Sequence, residues 1–286
     1  MSAPLVSWLG GKTKLANRII SLMPAHKKYI ECFFGGGSVF FKKVSAEQSY
    51  INDINSSLTN LYEIVRDRQY ELMRLITLTV RSEDQYKKFK ELFEDPIEYN
   101  KLDATRKALV YYYLIKNSFN SNTANNYGLN PNSNWQSDGM FETIISVNQK
   151  LRNTVITNRD WKTLIQYADQ DTVMYLDPPY AITLSSAGDR YYQYLLTEDE
   201  HLELRDTMVA MKNNFKWIIS YDVHPFVDKL YDGIEGVYKY TTEQIFQSSI
   251  NKHERFVSDE TYATAFKSEY LIVNFDINYS LPLFNQ

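Results

Sequence analysis

The chain has a single cysteine, Cys32, in 286 residues, so it can form no intramolecular disulfide, which suits a reducing compartment. Histidine is also scarce. His26, His201, His224 and His253 are scattered without metal-ligand company at short spacing, so no metal is expected. No apolar run approaches the roughly eighteen residues of a membrane span. The opening stretch to Gly11 lacks the basic start and apolar core of a secretory leader, and the expectation is a cytoplasmic protein. No internal repeat is evident. An excess of positive charge is missing too: the net charge is −4. The charge is uneven, with seven Lys/Arg against two acids in residues 1–50 and ten against nineteen in residues 161–286. A polyanion needs only a local basic surface, and an unevenly charged solvated surface explains the counts equally well, so charge neither supports nor excludes DNA.

What is present is enough apolar material for a core, 44%, which excludes a mainly disordered chain. Segments 29–34, 50–52, 155–157, 173–176, 217–220, 237–241 and 270–275 read as strands rich in β-branched or aromatic residues. Those in the middle of the set are nearly all apolar, as strands covered on both faces are. Helical patterns lie between several of them. One is 197–211, opened by the capping box Thr197-Glu198-Asp199-Glu200. Alternation of this kind predicts an α/β doubly wound sheet of seven strands. About a hundred residues separate the second and third strands, too many for one crossover. Helices are expected there at 56–68 and 82–93, each on a serine cap, and at 104–119 with a Tyr-rich face. A tract crowded with Asn, Ser, Gly and Pro follows at 117–138. Residues 55–150 therefore read as an inserted, mainly helical module ending in a polar loop or hairpin, and 1–54 with 151–286 as the domain that carries the chemistry.

Two motifs at predicted strand ends bear on that chemistry. Gly35-Gly36-Gly37 follows the first strand and precedes an apolar helix at 38–44, a turn that admits a ligand to the backbone. Asp53, eighteen residues after Gly35 at the end of the next strand, is placed to accept hydrogen bonds from two ribose hydroxyls. Phe40 breaks the G-x-G-x-x-G form, so a nucleoside fits better than a dinucleotide. Asp177-Pro178-Pro179-Tyr180 ends the fourth strand, and two prolines force the chain out of the sheet. A carboxylate, the Pro178 carbonyl and an aromatic ring converge there. Two acceptors drawing on the hydrogens of an aromatic amine free its delocalised lone pair, and the ring fixes the attack geometry. Trp8-Leu9-Gly10-Gly11-Lys12-Thr13 suggests a phosphate loop, but Val6 stands where that pattern needs glycine, and an NTPase is rejected.

Taken in order, Trp8-Leu9-Gly10-Gly11-Lys12, Glu31-Cys32-Phe33-Phe34-Gly35-Gly36-Gly37, Asn52-Asp53-Ile54-Asn55 and Asp177-Pro178-Pro179-Tyr180 resemble the motifs of the DNA adenine methyltransferase (Dam) family. Recognition helices set between the second and catalytic strands resemble its alpha-class arrangement. The stretches 53–68 and 268–275 are similar too, so the likeness covers almost the whole chain. It implies a Rossmann-like methyltransferase sheet with an inserted helical target-recognition domain. The implied activity is methyl transfer from S-adenosyl-L-methionine to N6 of a flipped-out adenine in double-stranded DNA. Trp8, Lys12, Glu31, Gly35, Gly37, Asp53, Asp160 and Asp177 would line the cofactor, with Asp53 on the ribose and Asp160 facing the adenine. Asp177, Pro178 and Tyr180 would hold the target base. Neither a metal nor a covalent enzyme intermediate is implied.

There are departures. Cys32 stands where the family usually has proline, as a small buried residue without a redox role. Phe119-Asn120-Ser121-Asn122 replaces the usual Phe-Asn-Gly-Leu, with no arginine nearby, so GATC is not implied as the target. In the bottom-up reading Asn120, Asn122, Asn125 and Asn126 are candidate base readers and Arg106, Lys107 and Lys116 candidate phosphate contacts. A plain surface loop is the competing reading of that tract. Related tetrapeptides also serve methylation of cytosine N4, RNA or a protein glutamine, and a catalytically silent DNA-binding subunit could keep the same fold. Finally, Leu281-Pro282-Leu283-Phe284 resembles the core of peptides that dock on the bacterial sliding clamp, although Ser280 stands where glutamine usually leads. The competing reading is a tail packed on its own domain.

Overall fold

The computed structural model describes residues 3–8, 10–118, 127–128, 134–179, 195–242 and 268–277. Among these, seven strands form one sheet: β1 (Lys28–Glu31), β2 (Gln48–Asn52), β3 (Thr154–Thr157), β4 (Thr172–Leu176), β5 (Lys216–Asp222), β6 (Tyr238–Thr241) and β7 (Glu269–Val273). They hydrogen-bond in the order β3-β2-β1-β4-β5-β7-β6. β2 is parallel to β3 and β4 to β5, whereas β7 is antiparallel to both β5 and β6. The expected α/β class with a seven-stranded, mostly parallel sheet is what the chain forms. The reason is visible in composition. β4 is buried at every position and β5 at all but Lys216, and continuous burial requires cover on both faces. At the β6 edge Lys239 pairs with Asp228 and, at 2.5 Å, with Asp232, and charge on an edge strand opposes pairing with another chain.

The helices are α1 (Ala16–Leu22), α2 (Ser38–Lys42), α3 (Ser56–Asp67), α4 (Gln69–Thr77), α5 (Glu83–Glu94), α6 (Pro96–Lys101), α7 (Ala104–Asn117), α8 (Asp138–Leu151), α9 (Glu198–Ala210) and α10 (Pro225–Tyr231). Ser82 caps α5 as expected, and the Thr197–Glu200 capping box of α9 is present. The cap of α3 is one residue earlier than expected: the Asn55 side chain, not that of Ser56, accepts from Ser57 and Leu58 N–H. α1, α4, α6, α8 and α10 are not among the helices expected from the sequence. Arg68 alone separates α3 from α4, so no independent start signal exists there. α6 opens on Asp95-Pro96, a cap with proline at the first position, which is a signal the sequence does carry. α8, capped by Ser137, follows the polar tract, so the helical segment ends in a helix and not in the tract.

The chain divides into two compact units, Met1–Ile20 with Glu31–Gln166 and Ser21–Ile30 with Tyr167–Gln286. The first has an aromatic core in which Phe34 meets Phe40, Phe41 and Tyr62 edge-on, at ring separations of 5.6, 5.7 and 4.9 Å. In it α3 packs on α7 and α8, and Asn148 donates 3.0 and 2.8 Å hydrogen bonds to the Val65 and Arg66 carbonyls near the end of α3. The second packs the buried residues of β4, β5 and β7 with Leu204 and Met208 of α9 among its fully buried side chains. No helix among the described residues is long and apolar enough to cross a membrane.

Candidate active site

In the first unit the best-defined polar group is Asp53, just past β2. Gly35 N–H donates to Oδ2 at 2.8 Å and Asn55 N–H to Oδ1 at 2.9 Å. Burial raises the carboxyl pKa, and the two N–H bonds oppose the rise. A carboxylate has about four acceptor positions, so each oxygen keeps capacity for a further donor. A vicinal diol supplies two such donors, and the group therefore fits a ribose. The backbone under Asp53 is fixed by two asparagines that the sequence reading passed over. Asn52 donates to the Cys32 and Arg159 carbonyls at 3.0 and 2.9 Å. It accepts from the Thr157 hydroxyl and Arg159 N–H at 2.8 and 3.0 Å. Asn158 donates to the carbonyls of Asp53 and Ile54, both at 2.8 Å. An Asn at a strand end opposite a second strand end is a weak sequence signal, but both were there to read.

The glycine segment also serves the packing of its own unit. Gly35 and Gly37 have φ of 49° and 67°, which L side chains rarely adopt. A Cβ at Gly35 would lie 2.7 Å from the Trp8 ring, and one at Gly37 would lie 2.3 Å from the Phe34 ring. The missing side chains thus make room for Trp8 and Phe34. The glycines bring Trp8 against the turn and aim the Gly35 N–H at Asp53. Lys12 is buried and donates to the Gly10 carbonyl at 3.0 Å. Glu31 is buried at the end of β1. Its charge raises the pKa of nearby Lys43, while burial, first, and Lys150 bring that pKa down to about 8. Burial and Glu31 both push the Cys32 thiol pKa up, which keeps it from acting as a thiolate. Asp160 is exposed and caps the 3-10 helix Trp161–Tyr167, accepting from Lys162 N–H at 2.9 Å.

In the second unit Asp177 stands at the carboxyl end of β4, half-buried, with Pro178 buried after it. The Ser220 hydroxyl, on β5, donates to Asp177 Oδ1 at 2.6 Å, and the Tyr175 hydroxyl lies 2.9 Å from the Ser220 oxygen. Asp177 and Pro178 are the two residues expected from the sequence to supply an acceptor pair, and both are among the described residues. Tyr180 lies outside the described residues.

The sequence profile of the D12 class N6 adenine-specific DNA methyltransferases matches residues 8–246. The chain belongs to this family. The Type II methyltransferase M.MjaIII of Methanocaldococcus jannaschii is 27% identical over 256 residues, spanning 80% of this chain and 88% of the relative. The Type II methyltransferase M1.LlaDCHI of Lactococcus lactis subsp. cremoris is 27% identical over 241 residues, spanning 80% and 84%. The DNA adenine methylase of Serratia marcescens is 29% identical over 196 residues, spanning 65% and 70%. The expectation of an adenine-specific DNA methyltransferase holds, and cytosine N4, RNA and protein amides are set aside.

Of the methyltransferase's candidate DNA contacts, Asn120, Asn122, Asn125 and Asn126 lie outside the described residues. Arg106 and Lys107 sit in the first turn of α7 and Lys116 in its last, roughly 15 Å apart along the axis, so they form no single cluster. Arg106 is exposed and 3.5 Å from Asp103; Lys107 donates to Asn100 at 3.2 Å; burial lowers the pKa of Lys116. A better-defined arrangement joins the described residues of the polar tract to Arg81 and Thr79. Ser118 and Tyr127 form an antiparallel bridge, and Gly128 N–H donates to the Asn117 carbonyl at 2.7 Å. Arg81 donates to Asn117 Oδ1 and the Gly128 carbonyl, both at 3.0 Å, and its guanidinium is 5.2 Å from the Tyr127 ring centre. The Trp135 ring N–H and the Gln136 amide donate to the Thr79 carbonyl at 2.9 and 3.1 Å. Arg81 lies far from the tract in sequence, which hid its role there.

Proposed function

We propose that this methyltransferase transfers the methyl group of S-adenosyl-L-methionine to N6 of an adenine flipped out of a specific short sequence in double-stranded DNA. The observation that carries the reading is Asp177, a carboxylate oriented by Ser220 at the carboxyl end of β4 and followed by the rigid Pro178. Asp177 and the Pro178 carbonyl accept the two N6 hydrogens and so direct the nitrogen lone pair outward. Tyr180 stacks on the base. When bound, the cofactor supplies an electrophilic methyl carbon and leaves as a neutral thioether, so the transfer itself calls for no metal. Asp53 accepts from the ribose hydroxyls. Trp8 and Lys12 help hold the cofactor, Glu31, Gly35 and Gly37 line its methionine part, and Asp160 faces its adenine. Base extrusion follows from the chemistry, since N6 within a duplex cannot meet the methyl carbon in line.

In this reading residues 55–150 form a target-recognition domain, and 1–54 with 151–286 the catalytic domain. Asn120, Asn122, Asn125 and Asn126 read base edges, and Arg106, Lys107 and Lys116 meet phosphates; the composition of the tract and the basic residues of α7 support this. A lone cysteine and a DNA substrate support a cytoplasmic location. Docking on the sliding clamp through Leu281-Pro282-Leu283-Phe284 is supported by that short sequence alone, outside the described residues. The test of the main reading is direct. Purified protein, duplex DNA and S-adenosyl-L-methionine should yield N6-methyladenine by mass spectrometry of digested DNA, and Asp177→Ala should yield none. Equal product from both proteins would overturn it.

A further inference from the structure

Two hydroxyls interrupt the apolar centre of the sheet. β4 reads Thr-Val-Met-Tyr-Leu and β5 Lys-Trp-Ile-Ile-Ser-Tyr-Asp, and Tyr175 and Ser220 are 1% and 0% exposed. Their placement follows from the strand pairing. β4 and β5 are parallel with Tyr175 opposite Ile218 and Leu176 opposite Ile219, so the next step brings Ser220 beside Asp177. Side chains two apart share a face, which puts Tyr175 and Asp177 on one side of β4 with Ser220 on the neighbouring strand. The hydrogen bonds have a fixed direction. A carboxylate cannot donate, so the single hydrogen of Ser220 goes to Asp177 Oδ1 at 2.6 Å. The Tyr175 hydroxyl, 2.9 Å away, must then donate to the Ser220 oxygen. The chain runs from Tyr175 through Ser220 to Asp177, and its last link has the length of a charge-assisted bond.

Stability does not account for this pair. Replacing both partners of a buried hydrogen bond by apolar groups of like shape is close to neutral, and Phe and Ala would continue both strands. What the pair adds is a fixed torsion for the carboxylate at its end. We propose that Ser220, backed by Tyr175, is the positioning residue for methyl transfer, holding the Asp177 carboxylate in the orientation from which it accepts an N6 hydrogen. This rests on the assignment of Asp177 as that acceptor. In the step served, the N6 lone pair forms the new N–C bond as the methyl carbon's bond to sulfur breaks, sulfur keeps that electron pair, and the surplus N6 proton passes to solvent.

Single-turnover methylation of a duplex tests the proposal. Ser220→Ala should slow kcat about 10-fold or more, as a misaimed catalytic group does, with KM for DNA and affinity for S-adenosyl-L-methionine at wild-type values. Ser220→Cys preserves the volume with a weaker donor and should fall between the two, and it carries the test should the alanine variant fold poorly. Tyr175→Phe should lose less than Ser220→Ala. The double variant should be no slower than Ser220→Ala alone, because in this proposal the tyrosine reaches the carboxylate through the serine. Multiplying losses, or wild-type kcat in Ser220→Ala and Ser220→Cys, would overturn the proposal. Wild-type kcat in Asp177→Ala would instead sink the assignment of Asp177 itself.

Discussion

Asp53 and Asp177 both follow parallel strands of the same sheet, and they are held in opposite ways. Asp53 takes its two bonds from backbone N–H groups of Gly35 and Asn55, and its raised pKa reflects burial that those bonds only partly offset. Asp177 takes its 2.6 Å bond from a side-chain hydroxyl. Truncating a side chain cannot delete a backbone donor, whereas one atom removed from Ser220 deletes the 2.6 Å bond to Asp177. On the proposed roles, the carboxylate that takes a constant cofactor moiety is secured by the fold, and the one that aims at the reacting nitrogen by a replaceable side chain.

Substitutions at the two carboxylates test this contrast most severely. Asp177→Ala should cost at least about 10²–10³ in turnover, the usual loss for one preorganised polar group, with DNA binding intact by gel shift. Tyr180→Phe should stay far more active than Tyr180→Ala if the ring and not the hydroxyl matters. Asp53→Ala should weaken S-adenosyl-L-methionine by roughly 1.5–3 kcal/mol in calorimetry while the turnover of saturated enzyme changes less. Unchanged affinity would remove the ribose assignment.

Disturbing the backbone donor itself comes next. Gly35→Ala must accommodate φ of 49° and a Cβ only 2.7 Å from Trp8. It should lose about 1–3 kcal/mol of stability in urea unfolding and weaken cofactor binding with it. Ser220→Ala, which takes one acceptor from the buried Tyr175 hydroxyl, should leave affinity for S-adenosyl-L-methionine at the wild-type value whatever it costs in stability. Similar losses of affinity in both would erase the distinction between fold-held and side-chain-held carboxylates.

A smaller, pH-linked effect sharpens the picture of the second unit. His201 is fully buried with Nδ1 2.7 Å from the Tyr221 hydroxyl, and burial lowers its pKa to about 4. The unfolded chain takes up that proton near pH 6.5, so between about 6.5 and about 4 it binds more protons than the folded chain. Stability should therefore fall as pH drops, by about 2 kcal/mol between pH 7 and pH 5 from this group. His201→Gln should flatten that slope; an identical slope would assign the loss to other groups.

The sheet was legible because its strands are short apolar runs with clear breaks, and β4 with its Asp-Pro-Pro end was the clearest of all. Asp53 was legible because its distance from Gly35 reflects one strand–turn–helix–strand unit. What could not be read was contact made across sequence. Ser220 is an ordinary serine in an apolar strand until β5 is known to lie beside β4. Asn52 and Asn158 look like strand-end punctuation until their amides are seen to tie three strand ends. The approach of Trp8 and Phe34 to the glycines is likewise invisible in sequence. α4 was hidden because one residue parts it from α3, which leaves no local boundary.

The closure of the polar tract has a consequence for how such enzymes diversify. The bonds described there join Asn117, Ser118, Tyr127 and Gly128 to one another and to Arg81, all outside residues 119–126. Two of these bonds use backbone groups of Asn117 and Gly128, which persist through side-chain change. These bonds hold the two ends of the segment at fixed positions, with Arg81 as the clasp. On the proposed reading role of the tract, drift between those ends would change the word an enzyme reads while the clasp and the methyl-transfer chemistry stay as they are.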